Sequence, residues 1–214
     1  MSKIQIFETH AHYDDEAFDA DRESLLGSMN ENGIGKIVNA CASIESLDDT
    51  AHLMEKYPFI YGAFGIHPDD ADKVTEEVLD KISRCCDLEK AVAVGEIGLD
   101  YYWHKEDEEH RIQKEIFCAQ MEIAREKKMP FMVHSREAAQ DTLDIVKEYI
   151  KGGMYGGIIH CFSYGKEMAR EYLNMGLYLG VGGVVTFKNA RKLKEVVEYA
   201  PLEQIVLETD SPYL

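Results

Sequence analysis

Positive charge is scarce in this 214-residue chain: 23 lysines and arginines stand against 40 aspartates and glutamates, giving a formal net charge of −17 and a pI near 4.8. Such a chain repels phosphate polymers, which excludes a tight, non-specific nucleic-acid coating role. An enzyme that grips a few phosphates through bound cations stays open, because a cation inverts the local field. Cysteine is sparse and odd in number. Cys41, Cys85, Cys86, Cys118 and Cys161 contain no Cys-x-x-Cys spacing, and the adjacent Cys85 and Cys86 do not make a disulfide framework. The expected setting is therefore reducing and cytoplasmic. No apolar run is long enough to span a membrane. The start, Met1 through Glu8, runs straight into a strand-like pattern without the apolar core of a secretory leader. Low-complexity tracts, internal repeats and Pro/Gly-rich linkers are missing too, so residues 1–214 read as a single domain with no feature that calls for an obligate protein partner.

What is there is a globular composition, 45% hydrophobic and 29% charged, in a chain long enough to bury a core without disulfides. Eight β-rich windows recur along it, at roughly 4–9, 36–41, 59–65, 91–96, 130–134, 156–160, 177–185 and 204–209. Amphipathic stretches separate them, following Asp19, Ser46, Thr75, Asp107, Glu137, Lys166 and Asn189. The clearest of these puts Ile112, Ile116, Ala119 and Ile123 on one helical face. The windows are mostly apolar, as in Ala91-Val92-Ala93-Val94 and Ile205-Val206-Leu207, which suits strands covered on both sides. Alternation of this kind implies parallel strands with helical crossovers. Eight units favour a closed TIM (β/α)8 barrel, with an open doubly wound sheet as the alternative. The chain stops at Leu214, just past the eighth window, so the expected barrel lacks its final helix and the full protein is expected to be longer.

Polar residues collect at the C-terminal ends of these windows. His10 and His12 close the first, and strand side chains repeat with period 2, so both imidazoles point the same way. Glu96 ends the fourth, His134 the fifth, His160 the sixth, and Asp210 the eighth. A (β/α) barrel gathers such strand ends at one mouth, where catalytic residues sit. Imidazole and carboxylate suit zinc, manganese, iron, nickel or cobalt. One open catalytic zinc normally takes three protein ligands, so six side chains are too many for it. Shared between two divalent ions, with Glu96 bridging, they leave room for water and substrate, the arrangement that cleaves phosphates and amides.

The segments Glu8-Thr9-His10-Ala11-His12, Gly65-Ile66-His67-Pro68, Gly95-Glu96-Ile97-Gly98-Leu99-Asp100-Tyr101, His134-Ser135-Arg136, His160-Cys161-Phe162-Ser163 and Glu208-Thr209-Asp210-Ser211-Pro212 resemble, in order, those of the TatD family of metal-dependent deoxyribonucleases and related hydrolases. The resemblance covers nearly the whole chain. It implies a metal-dependent hydrolase barrel with His10, His12, Glu96 and Asp210 around one ion, and Glu96, His134 and His160 around the other. Some family members lack the first histidine pair, which this sequence keeps. It departs at Glu8, where the family usually has Asp, and at Tyr164, where a small residue is common. The family's further helical stretch past the Glu-Thr-Asp-Ser-Pro segment is not part of this sequence.

The implied activity is hydrolysis of DNA, as single strands or short ends, with two divalent ions (zinc, magnesium or manganese) as cofactors. A metal-dependent amidohydrolase or esterase acting on a small molecule is the alternative, although a carboxylated bridging Lys would favour it and Glu96 occupies that position here. Asp210 is the expected general base for the attacking water. His67 reads as a phosphate contact or proton donor, or else as a structural histidine before Pro68. The fork of Arg136 suits a phosphate oxygen. Tyr101, Tyr102 and Trp103 form an aromatic loop, with Trp103 the best base-stacking candidate. Glu208 shares a face with Asp210 and is placed to orient a ligand. Cys161, on the strand, is expected to point away from the barrel axis, and His52, His104 and His110 are expected to be solvated. Glu106-Asp107-Glu108-Glu109 reads as the acidic first turn of a helix.

Overall fold

The computed structural model describes residues 5–213. Residues 1–4, which include the start of the first expected strand, lie outside the described residues, as does Leu214.

Eight strands follow one another: β1 (Ile6–Ala11), β2 (Ile34–Ala40), β3 (Ile60–Ala63), β4 (Ala91–Asp100), β5 (Phe131–Arg136), β6 (Gly157–Ile159), β7 (Tyr178–Val181) and β8 (Ile205–Leu207). Each pairs in parallel with its neighbour in chain order. Crossovers run through α1 (Arg22–Ser28), α2 (Ser46–Lys56), α3 (Glu76–Cys85), α4 (Asp107–Lys127), α5 (Ala139–Lys151), α6 (Lys166–Asn174) and α7 (Arg191–Tyr199). Strand order 1 to 8 leaves no switch point, so the doubly wound alternative falls. Single hydrogen bonds bring β8 back to β1. The Thr9 hydroxyl donates to the Leu207 carbonyl at 2.9 Å, Asp210 N–H to the His10 carbonyl at 3.0 Å, and His12 N–H to the Ser211 carbonyl at 2.8 Å. The result is a nearly closed TIM (β/α)8 barrel. Among the described residues no α-helix follows β8, and Leu207 is 58% exposed. No described helix is long and apolar enough to cross a membrane.

Every expected strand window contains a strand, but two boundaries move by four residues. The window at 177–185 yields only β7, because Gly182 and Gly183 turn the chain into a 3-10 segment, Gly183–Thr186. β4 runs on to Asp100, so Glu96 lies inside it rather than at its end. There the β4–β5 register shifts between Val94 and Ile97, an irregularity of the kind that re-aims a side chain. Gly98, at φ 146°, then pairs with His134; a Cβ at this position would collide with the His134 carbonyl oxygen. The close approach of β4 to β5 that seats His134 beside Glu96 therefore depends on glycine.

The buried face of α4 also differs from the expected one. Ile112, Ile116 and Ala119 are only half-buried, whereas Gln113, Phe117, Gln120, Met121 and Ala124 are buried together with Ile123. Two glutamines turn inward because each completes backbone hydrogen bonds that the barrel leaves open. Gln113 accepts from Asp100 N–H at 2.9 Å and donates to the Asp100 carbonyl at 3.2 Å. Gln120 does the same for Ile66, at 2.7 and 3.1 Å. The acidic first turn of α4 is as expected: Glu106 caps it in a reciprocal capping box with Glu109. Val38, Ala40, Ala63, Ala93 and Met132, all from strands, form a small cluster of their own, apart from the larger core between strands and helices.

Candidate metal centre

β1 delivers His10 and, one residue past its end, His12, both almost fully buried at the C-terminal mouth. Their Nε2 atoms are 3.0 Å apart. Glu96 Oε2 lies 3.3 Å from His10 Nε2 and 3.5 Å from His12 Nε2. Asp210 Oδ1 lies 3.4 Å from each. Four donor atoms arranged as a tetrahedron around zinc, with arms of about 2.0–2.1 Å, would stand about 3.3–3.4 Å apart. The five separations match that spacing. The tautomer fits as well. His12 Nδ1 donates to the Ala40 carbonyl at 2.8 Å, so its neutral ring presents the Nε2 lone pair to the other three donors.

The second oxygen of Glu96 faces a second set. Oε1 is 2.6 Å from His160 Nε2 and 2.9 Å from His134 Nδ1, and these two nitrogens are 3.3 Å apart. One carboxylate thus serves two donor groups, as a bridging ligand must. Each imidazole of the second group is backed by a carboxylate on its far side. Asp100 Oδ2 lies 3.2 Å from His134 Nε2, and Glu208 Oε1 lies 4.0 Å from His160 Nδ1. His160 Nδ1 and Glu208 Oε2 are buried without a hydrogen-bond partner among the described residues. Gly180 on β7 leaves the space that the Glu208 carboxylate fills, and Glu208 also accepts the Cys161 N–H. Asp210 follows β8 by three residues, held at φ 59° in a turn.

The electrostatics agree with a cation site. Burial alone would raise the Glu96 carboxyl, but the imidazoles of His160, His10 and His67 outweigh it and hold the group well below the usual range. Burial opposes charge on His12, yet its hydrogen bond to Asp210 and the nearby Glu96 raise it to about 9. His134, similarly buried, is raised to about 9 by Asp100 and Glu96. His10 goes the other way: burial, then the neighbouring His160, push it down to about 4. The His10 and His160 rings stack at 3.9 Å, a contact two charged rings would resist. Burial pushes Glu208 up to about 7. Glu96 and Asp210 stay ionised and favour a proton on His12 and His134; divalent cations would take the place of those protons, leaving imidazole lone pairs and carboxylate oxygens as the donor set.

The centre opens into a cleft of about 470 Å³. His67 lines it, four residues beyond β3 rather than at its end. Its Nδ1 accepts Asp69 N–H at 3.2 Å and its Nε2 lies 3.7 Å from Glu96 Oε1. Arg136 and Trp103 form one lip. The guanidinium sits 4.1 Å from the Tyr102 ring centroid and 5.6 Å from that of Trp103, which is 64% exposed. Tyr101 is placed outside the cleft: its ring stacks on His110 at 3.6 Å and its hydroxyl donates to Asp141 at 2.7 Å. On the His12 side an adjoining hollow is walled by Asp14, Asp15, Glu16, Asp19, Glu45 and Asp49.

Several expectations change. His104 and His110 are partnered rather than solvated: His104 bridges Asp69 and Glu109, and His110 donates to the His104 carbonyl. Cys161 is not on a strand, because β6 ends at Ile159 and Cys161 turns at φ 43°. Its thiol is nonetheless a poor nucleophile, since burial pushes it up to about 12. Asp100 was not singled out from the sequence, although it shares the face of Glu96 at a period-2 spacing. The signal was available, but the strand window closed four residues too early.

The family model described as "TatD related DNase" matches residues 7–214. The Bacillus subtilis (strain 168) protein "Uncharacterized metal-dependent hydrolase YabD" is 42% identical over 209 residues, covering 98% of this chain and 81% of that protein. "Uncharacterized metal-dependent hydrolase TatD" of Mycobacterium tuberculosis (strain ATCC 25618 / H37Rv) is 34% identical over 97% of this chain and 80% of its own length. The crystal structure of the Escherichia coli K12 TatD homologue YJJV superposes with a TM-score of 0.89 at 30% identity, covering 98% of this chain and 80% of that one.

Proposed function

The chain belongs to the TatD related DNase family of metal-dependent hydrolases, and on that premise we propose that it is a two-cation phosphodiesterase that shortens DNA at single-stranded or short ends. The observation that carries the reading is the position of the Arg136–Trp103 lip beside a carboxylate, Glu96, whose two oxygens address two separate donor sets. When bound, a pair of divalent cations would lower the pKa of a water and neutralise charge that builds on the phosphoryl oxygens.

The chain's own residues supply the rest. Asp210 reaches the cleft, and its ionised carboxylate takes the proton of the attacking water. His67 accepts a backbone N–H at Nδ1, so its neutral ring carries its proton on Nε2, toward Glu96 and the cleft, ready for the leaving oxygen. Arg136 is the one lysine or arginine among the described residues that line the cleft, and its fork suits one phosphate. Trp103, exposed beside it, offers a face on which a terminal base stacks. The acidic hollow that adjoins the cleft at His12 repels a second stretch of phosphates, which favours an end over a long duplex.

The test is a substrate panel with wild type and Arg136→Ala: a single-stranded oligonucleotide, a blunt duplex and a small carboxylic ester. The reading expects the oligonucleotide to be cleaved fastest and to lose most on removing Arg136. Fast ester hydrolysis indifferent to Arg136, with no cleavage of DNA, would transfer the assignment to a small-molecule esterase or amidohydrolase.

A further inference from the structure

Asp100 is 1% exposed, and both of its carboxylate oxygens are committed to different parts of the site. Oδ2 lies 3.2 Å from Nε2 of His134, whose Nδ1 faces Glu96. Oδ1 accepts the backbone N–H groups of Tyr102 at 2.8 Å and of Trp103, on the cleft lip, at 3.0 Å. The Asp100 backbone is itself clamped by the buried Gln113 of α4, so the carboxylate cannot drift to satisfy one side at the expense of the other. A second link reinforces the first: Arg136, two residues after His134 on β5, stacks on Tyr102.

We propose that Asp100 is a positioning residue that couples the second donor set to the aromatic lip, so that filling the His134–His160–Glu96 pocket orders Trp103 for stacking. The inference rests on the two-cation reading of the site and not on the identity of the substrate. A carboxylate behind a ligating imidazole fixes the ring's tautomer and orientation. Here the same group also fixes two backbone N–H groups, so any shift of the His134 ring that accompanies cation binding is transmitted across one rigid, fully bonded side chain. Linkage makes the effect reciprocal: a base stacked on Trp103 tightens the cation at His134.

The chain contains a single tryptophan, Trp103, which makes the lip directly observable. The experiment is titration of metal-stripped protein with Zn²⁺, which has no optical or paramagnetic signal of its own. Trp103 emission and calorimetric stoichiometry are followed together in wild type, Asp100→Asn and His134→Ala. In wild type two zinc ions are expected to bind, with an emission shift that tracks the ion lost in His134→Ala. In Asp100→Asn the amide oxygen still accepts from the lip, but the amide N–H₂ facing Nε2 drives the ring proton to Nδ1, the side turned to Glu96. That ion is then expected to bind about 10–100-fold more weakly, and the emission shift to be lost. Should Asp100→Asn fail to fold by circular dichroism, Asp100→Glu carries the test, because a carboxylate one carbon longer cannot meet His134 and both backbone N–H groups in the same geometry; a variant that binds the second ion and keeps the full emission shift overturns the coupling. Two zinc ions bound by wild type with unchanged emission overturn the coupling alone. A single zinc ion in wild type overturns the two-cation reading and the coupling with it. An Asp100→Asn protein that keeps both the second ion and the shift shows that Asp100 transmits nothing.

Discussion

Replacing Glu96 by glutamine separates the two donor sets by one atom. In the wild type Oε2 stands 3.3 and 3.5 Å from His10 and His12, while Oε1 stands 2.9 and 2.6 Å from His134 and His160. A glutamine of the same shape keeps one acceptor oxygen and replaces the other with an N–H₂ group that donates and has no lone pair to offer. One pocket keeps an oxygen donor; the other loses its ligand outright. Four-ligand structural zinc sites are worth about 10–16 kcal/mol, which averages about 2.5–4 kcal/mol per ligand. That corresponds to a loss of roughly 10²–10³-fold in affinity at the deprived pocket. Dialysis against micromolar zinc followed by elemental analysis should find two ions in wild type and one in Glu96→Gln. Calorimetry should show a single binding event. Two ions held by the variant at wild-type affinity would refute the bridging role, and with it the account of why six side chains gather here.

Other consequences follow from the same geometry. Because His12 and His134 are each raised to about 9 from an ordinary 6.5, their contribution to the stability of the metal-stripped protein is full below about pH 6.5 and lost as pH rises through 9. Zinc takes the neutral rings, so its stabilising effect grows across that same window; melting scans from pH 6 to 9 with and without zinc should diverge, and parallel curves would contradict the assignment. Gly98→Ala places a Cβ against the His134 carbonyl at φ 146° and should cost about 3 kcal/mol or more in urea denaturation, from strain and overpacking combined; a loss below 1 kcal/mol would show that β4 can move aside. Asp210→Asn should abolish turnover while leaving most metal binding intact, and retained turnover rules out its role as base. Trp103→Ala should raise KM for single-stranded DNA about 5- to 150-fold, from about 1–3 kcal/mol of stacking, with kcat little changed; an unaltered KM removes the stacking role.

The eightfold alternation was legible because strands sandwiched between barrel interior and helices are apolar on both faces, and the intervening helices show period 3.6. The pairing of His10 with His12 followed from strand periodicity, and Glu96, His134, His160 and Asp210 stood out as polar residues closing apolar runs. What the sequence hid was set by tertiary partners. Gln113 and Gln120 look like surface residues until the open backbone groups of Asp100 and Ile66 are in view. Tyr101 belongs to the aromatic run but turns away, because His110 offers its ring a stack and Asp141 offers its hydroxyl an acceptor. Cys161 sits in a positive-φ turn past the end of β6, not on the strand that period-2 reasoning assumes. Asp100 escaped because a strand was expected to end at the first carboxylate, whereas β4 carries two.

We propose that the protein hydrolyses DNA ends with two cations that residues from β1, β4, β5 and the turns after β6 and β8 would hold. The most direct test is the shortening of an end-labelled single-stranded oligonucleotide by metal-stripped protein, with Mg²⁺, Mn²⁺ or Zn²⁺ added back and His134→Ala alongside. The account expects cleavage only when metal is restored, stepwise from one end, and none from the variant. Folded, metal-loaded protein that leaves the oligonucleotide intact with every cation would contradict it.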